Sequence, residues 1–319
     1  ERGIRFSYLV SSGNELSLDA ADYLNFLVED PETRLIILML EGIRRPDAFK
    51  EAARKALAAG KPILAVKVGQ TEGARKSAQS HTGAIAGDYD VFRALCERYG
   101  IVLCPSLDDM IETALAFQAG RLPKGDGMAF MSNSGGVVDL MHDHAGQENA
   151  RMPRLSPATA KKIRKLVGPD MPLQNPMDCG QAGFADERNY MRVCEAVSKD
   201  PRIHMVAFEA RTPNDPGRKT PEPLRELADR TTLPIFAFCR MEHAPSDYGR
   251  QFQDEAGIAH LQSMPETVRA MKALAFYAKR AGRKIPSLPR PKGKAANLQP
   301  GRLERALRTA GVTPPRSAL

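Results

Sequence analysis

Short apolar runs of strand length alternate along this chain with segments whose apolar residues recur every three or four positions, a grammar that restricts it to parallel sheet covered by helices. The first run is FSYLV at residues 6–10, followed by a helical pattern that puts Ala20, Leu24, Leu27 and Val28 on one face. LIILML at residues 35–40 is continuously apolar, as a strand buried on both faces requires. Pro46 then stands at a favourable first helical position, and the pattern runs through Ala58 to a stop at Gly60. ILAV at residues 63–66 is the next strand. Beyond a long loop come a helix near residues 89–98, a short strand at residues 101–103, and a helix from Ser106. In that last helix Asp109 completes an approximate capping box, and Gly120 marks its end.

Residues 1–122 are thus expected to form one α/β domain of the flavodoxin-like kind. A polar hinge with glycine and proline, AGRLPKGDG at residues 119–127, precedes a restart of the same grammar at MAFM, residues 128–131. A second flavodoxin-like domain is expected over residues 127–282. Within it HMVAFEA is similar to LIILMLEG of the first, and LPIFAFC to KPILAVK. Internal duplication and chance within any α/β repeat both explain so short a likeness. Residues 285–300 are rich in proline and basic side chains and read as a linker. Leu303, Ala306, Leu307 and Ala310 then mark an apolar helical face with no neighbour in sequence, so residues 283–319 are expected to be a linker and the start of a third domain.

Composition excludes several classes of function. No apolar run approaches the roughly 20 residues of a membrane-spanning helix, so no membrane partner is expected. The net charge of +8 invites a nucleic-acid reading, but nine basic residues against one glutamate from Arg283 onward account for all of it. That tail has no aromatic residue to stack on bases, so a solvated linker is the expectation and nucleic acid is not a partner. The five cysteines are widely spaced, without a CxxC pair, which fits a reducing cytoplasm better than a disulfide framework or a zinc knuckle. Nothing after Glu1 resembles a charged segment followed by an apolar one, so an export signal is not expected within these residues.

The stretch most informative about chemistry is KVGQTEGARKSAQSHTGAIAGD, residues 67–88, a long loop between a strand and a helix. Small residues, among them Ser80, Thr82 and Gly83, surround His81 and let the backbone approach another surface closely. Composition alone leaves His81 open as a solvent-facing loop residue. Glu41 follows the neighbouring candidate strand, and carboxy ends of parallel strands gather on one edge. A carboxylate there can fix the tautomer of His81 and turn its other nitrogen into a nucleophile; facing solvent or capping a helix is the alternative. The turn at Asn133, Ser134, Gly135 and Gly136 opens a helix whose backbone N–H groups can hold phosphate, or serves tight helix–sheet packing. It lacks the P-loop and dinucleotide patterns. His142 and His144, two apart, point to different faces, and no metal site is assigned. NPMD at residues 175–178 reads as a turn before a helix.

SHTGAIAGD resembles the phosphohistidine loop of the succinyl-CoA synthetase superfamily, most closely its NDP-forming (ADP-forming) acyl-CoA synthetase branch. KPILAVKVGQTEGARKSAQ, SSGNELSLDAADYL and MLEGIRRPDAF are similar to the segments around it in that branch, MSNSGG and LQNPMD to landmarks of the next ligase domain, and LERALRTAGVTPP to the opening of an ATP-grasp domain. By this resemblance His81 is the phosphorylated residue, within a loop that includes Ser80, Thr82 and Gly83. Glu41 is the acid that positions it, and the helix start at Asn133, Ser134, Gly135 and Gly136 is one of two that hold phosphate.

The implied reaction joins a carboxylic acid to CoA at the expense of ATP, giving acyl-CoA, ADP and phosphate. Magnesium would accompany the nucleotide. A CoA-binding domain before Glu1 and an ATP-grasp body after Leu319 would be partners in the full-length protein, and the isolated chain is expected to be inactive. Homo-oligomerisation and the identity of the acid stay open. The alternative from another class is a noncatalytic synthetase-like module that senses acyl-CoA or phosphate; such relatives typically lack the histidine that stands here at position 81.

Overall fold

A computed structural model describes residues 2–74, 88–169, 171–180, 186–217 and 219–286. Helix α1 (Ala20–Glu29) starts at a capping box: Asp19 accepts from the N–H groups of Ala21 and Asp22, and Asp22 reaches back to the Asp19 N–H. Strand β1 (Ile36–Leu40) leads to α2 (Pro46–Ala58), which has proline in its first turn, and β2 (Ile63–Lys67) lies parallel to β1. After α3 (Tyr89–Tyr99) comes β3 (Val102–Leu103), parallel to β2, so the first sheet runs β1-β2-β3. Gly100 ends α3 with φ +68, a left-handed conformation that strains other residues. Helix α4 (Leu107–Gln118) is capped by Ser106, whose hydroxyl accepts from the Asp109 N–H at 3.0 Å.

The expectation of a strand at residues 6–10 fails. That segment is irregular, and Phe6, Tyr8, Leu9 and Val10 are exposed. Apolar residues make a strand only where a neighbour completes the ladder, and among the described residues none runs beside this segment. Strand β1 is consequently the sheet edge, with Met39 63% exposed.

The second sheet runs β5-β4-β6-β7-β8, all parallel, formed by β4 (Met128–Ser132), β5 (Met177–Asp178), β6 (Met205–Glu209), β7 (Ile235–Phe238) and β8 (Ala259–Leu261). In order of appearance that is the 2-1-3-4-5 arrangement of flavodoxin-like folds. Met177 and Asp178 therefore correct the expectation that residues 175–178 form a turn before a helix: these two are strand, while Asn175 and Pro176 form a bend. The Asn175 side chain accepts from the Phe130 N–H and donates to the Met128 carbonyl at 2.7 Å, standing in for a strand beside β4 until Met177 takes over.

Helices α5 (Gly135–Gln147), α6 (Pro157–Val167), α7 (Glu187–Ser198), α8 (Glu222–Arg230), α9 (Asp247–Ala256) and α10 (Met264–Ala278) complete the described layers. One core lies between the first sheet and α1, α2 and α3, and another between the second sheet and α6 to α9. The third joins the sheets through α4 and α10, where Phe117 meets Tyr277 edge-on at 5.5 Å between ring centres. Buried Glu112 on α4 strengthens that junction by accepting a bidentate pair of bonds from Arg2 and one from the Gln262 N–H at 2.8 Å. Burial pushes its carboxyl above the usual range, against the pull of Arg2.

All five cysteines are buried and free, and burial pushes the thiols of Cys96, Cys104, Cys179 and Cys239 up to about 12. Among the described residues no helix is long and apolar enough to cross a membrane.

Candidate functional site

In both sheets the chemistry collects where strands end in carboxy termini, as expected of parallel α/β architecture. Glu41 directly follows β1. It is exposed, and its carboxylate makes no hydrogen bond or ion pair among the described residues. Leu40 is in register with Lys67, the last residue of β2, so Glu41 stands beside the point where the chain leaves for the loop of residues 67–88. Ser80, His81, Thr82 and Gly83 lie outside the described residues.

Sequence reasoning ended β2 at Val66 and passed over Lys67. This lysine is only 3% exposed, and its ammonium donates to the carbonyls of Glu41 at 2.7 Å and Val68 at 2.6 Å. Burial lowers its basicity, and the Glu41 charge opposes that shift. The signal that could have found it is a lysine completing a strand whose other residues are all apolar.

The second sheet has a switch in strand order at β4, which lies between β5 and β6. Crevices at such a switch are where open α/β sheets bind ligands. Asn133, Ser134, Gly135 and Gly136 sit there, in the turn from β4 into α5. Ser134 occupies the cap position and makes no side-chain cap bond. The Ser134 N–H is itself tied to the Ser132 hydroxyl at 3.1 Å. A side chain at position 135 would meet the Asp178 carboxylate, its Cβ 3.4 Å from Oδ2, whereas Gly136 faces open space.

Two further residues join this turn. Glu209, at the end of β6, accepts from the Ser132 hydroxyl and from Arg240, and the Arg240 guanidinium also reaches the Asn133 amide oxygen at 3.4 Å. The bond to Glu209 holds Arg240 charged still more firmly than usual. Arg240 gave no signal in the sequence, because its partners are 31 and 107 positions away. The arrangement offers a helix start and one cation to an anion, bordered by the carboxylates of Glu209 and Asp178. No hydrogen bond or ion pair among the described residues joins Glu41 to the turn at Asn133. Nor does any group of three or more histidine, cysteine, aspartate or glutamate residues there suit a metal ion.

Comparison with known proteins gives this geometry a context. Residues 1–117 match the family described as the succinyl-CoA ligase-like flavodoxin domain. A trans-feruloyl-CoA synthase from an unknown prokaryotic organism is 31% identical over 87% of this chain and 39% of its own length. The alpha subunit of an ADP-forming acetate–CoA ligase II from Pyrococcus furiosus is 28% identical over 88% of this chain and 61% of its own. Among solved structures, the dinucleotide-forming acetyl-coenzyme A synthetase 1 of Candidatus Korarchaeum cryptofilum, in complex with phosphate and ADP, superposes with a TM-score of 0.71. It shares 26% identity over 85% of this chain and 59% of that one. The chain thus spans from 39% to 61% of the length of these relatives.

Proposed function

Since residues 1–117 are a succinyl-CoA ligase-like flavodoxin domain and most of the chain is related to ADP-forming acid–CoA ligases, we propose that it is the part of an ADP-forming acyl-CoA synthetase that carries phosphate on His81. A ring nitrogen of neutral His81 bonds to the γ-phosphorus of ATP as the bond to ADP breaks. The phosphoryl group then passes to a carboxylate oxygen of the acid, giving an acyl phosphate and restoring His81. The sulfur of CoA bonds to the acyl carbon, phosphate leaves, and the thiol proton goes to phosphate or solvent.

In this reading Glu41 accepts the proton on one ring nitrogen of His81 and so presents the other to phosphorus. The uncapped start of α5, at Asn133, Ser134, Gly135 and Gly136, holds the anion, with the helix end and Arg240 favouring its charge. Ser80, Thr82 and Gly83 are the small residues that let the chain beside His81 approach another surface closely. Nucleotide with magnesium and CoA are bound by ATP-grasp and CoA-binding domains of the full-length protein. The cytoplasm, where these substrates occur, is the proposed compartment.

The observation that carries the proposal is Glu41: a carboxylate at a strand end, exposed and without a hydrogen bond or ion pair among the described residues, beside the strand that leads to His81. Phosphoryl transfer depends chiefly on such positioning and on charge neutralisation. The test is His81→Asn in the full-length protein. Acyl-CoA formation should fall by about a thousandfold or more, and a wild-type rate contradicts the covalent role.

A further inference from the structure

Lys67 presents an energetic puzzle that the reading of His81 and Glu41 does not address. It is the one charged residue of β2, and it is as buried as the apolar residues beside it. Removing an ammonium from water costs far more than burying an apolar side chain of the same length, such as methionine. A lysine kept there must make interactions that methionine cannot.

Its bonds show what these are. The β1–β2 ladder ends at the pair Leu40 and Lys67, with one further backbone bond from the Val68 N–H to the Leu40 carbonyl at 2.9 Å. Among the described residues no further backbone bond joins the two strands beyond that point. The ammonium takes over, donating to the Glu41 carbonyl on one side and the Val68 carbonyl on the other. Fixing the Glu41 carbonyl restricts the peptide plane next to its Cα and therefore the direction in which the carboxylate leaves the sheet. Fixing the Val68 carbonyl does the same for the first step of the loop toward His81.

We propose that Lys67 is a positioning residue for phosphoryl transfer: its ammonium clamps the carbonyls of Glu41 and Val68, so that the orienting carboxylate and the loop carrying the nucleophile leave the sheet from one fixed frame. The inference rests on the assignment of His81 and Glu41 above. Lys67 acts through the backbone carbonyls of Glu41 and Val68.

The experiment uses the full-length protein and reads the single-turnover rate at which γ-labelled ATP, with magnesium, places label on His81. Lys67→Met keeps the length and apolar packing of the stem but removes the clamp. It should slow labelling by about tenfold or more, since displacements near 1 Å cost on the order of a hundredfold, while the KM for ATP stays within about twofold. Lys67→Arg, which keeps charge and donors, should recover most of the rate. Labelling of Lys67→Met at the wild-type rate overturns the proposal, as does a loss shared equally by KM and rate. Should Lys67→Met fail to fold, Lys67→Leu, which also lacks the donors, is labelled at a lower temperature and decides by the same criterion. His81→Ala is run in parallel: label that persists there shows that the His81 assignment has failed, whatever the Lys67 variants do.

Discussion

The two sheets use an arginine and a carboxylate in opposite ways. In the first, the bidentate pair of Arg45 with Asp19, at 2.7 and 2.8 Å, lies in the scaffold, where Asp19 caps α1 and Arg45 stands just before α2. The carboxylate at the strand end, Glu41, is left unbonded. In the second, the strand-end carboxylate Glu209 is itself committed, held by Ser132 and holding Arg240 beside Asn133. An unbonded, exposed carboxylate is available to a transient partner, whereas a bonded one fixes another group. The first strand end is thus suited to orienting a group that is not bonded to it in this state, and the second to keeping a cation beside a helix start.

The largest test of this contrast is a pair of matched substitutions. Glu41→Gln in the full-length protein should lower acyl-CoA formation by about a hundredfold or more, because the amide cannot hold the ring tautomer as a carboxylate does. Its effect on melting should be negligible. Glu209→Gln should do the reverse, lowering stability in urea unfolding by about 1–3 kcal/mol as Ser132 and Arg240 lose a charged partner, with a smaller loss of rate. Equal effects of the two substitutions on rate and on stability would erase the distinction.

A smaller effect sharpens the scaffold half of the comparison. The Arg45 bond holds the Asp19 carboxyl below its ordinary value of 3.8, against the opposing effect of burial. A carboxylate more acidic in the folded protein than in the unfolded chain stabilises fully above that ordinary value, and its contribution is lost as pH falls through the lower folded value. Asp19→Ala should therefore cost about 1 kcal/mol near neutral pH, mainly through the lost cap because Arg45 is half exposed. The gap from the unsubstituted protein should narrow in urea unfolding below pH 3.8. A gap independent of pH would mean that the ion pair is not what holds Asp19.

Much of the scaffold was legible because its determinants are local. Continuous apolar runs announced β1, β2 and β4, and the Ser106 cap and Pro46 announced two helix starts at the positions observed. What failed needed a partner distant in sequence. Residues 6–10 have the composition of a strand but no neighbour among the described residues, while β5 has only two residues and exists because Asn175 binds the edge of β4. The candidate site divides along the same line. Glu41 and the Asn133–Gly136 turn were readable as strand ends. Lys67 was counted with the loop that follows β2 and not with the strand, and the link between Glu209 and Arg240 depends on two strand ends that only the sheet brings together.

The central claim is that phosphate travels on His81. The direct measurement incubates the full-length protein with γ-labelled ATP and magnesium and compares it with His81→Ala for protein-bound label that is lost in acid and kept in alkali. The account predicts such label on the unsubstituted protein and none on the variant. Equal label on both, or no label on either, would contradict it.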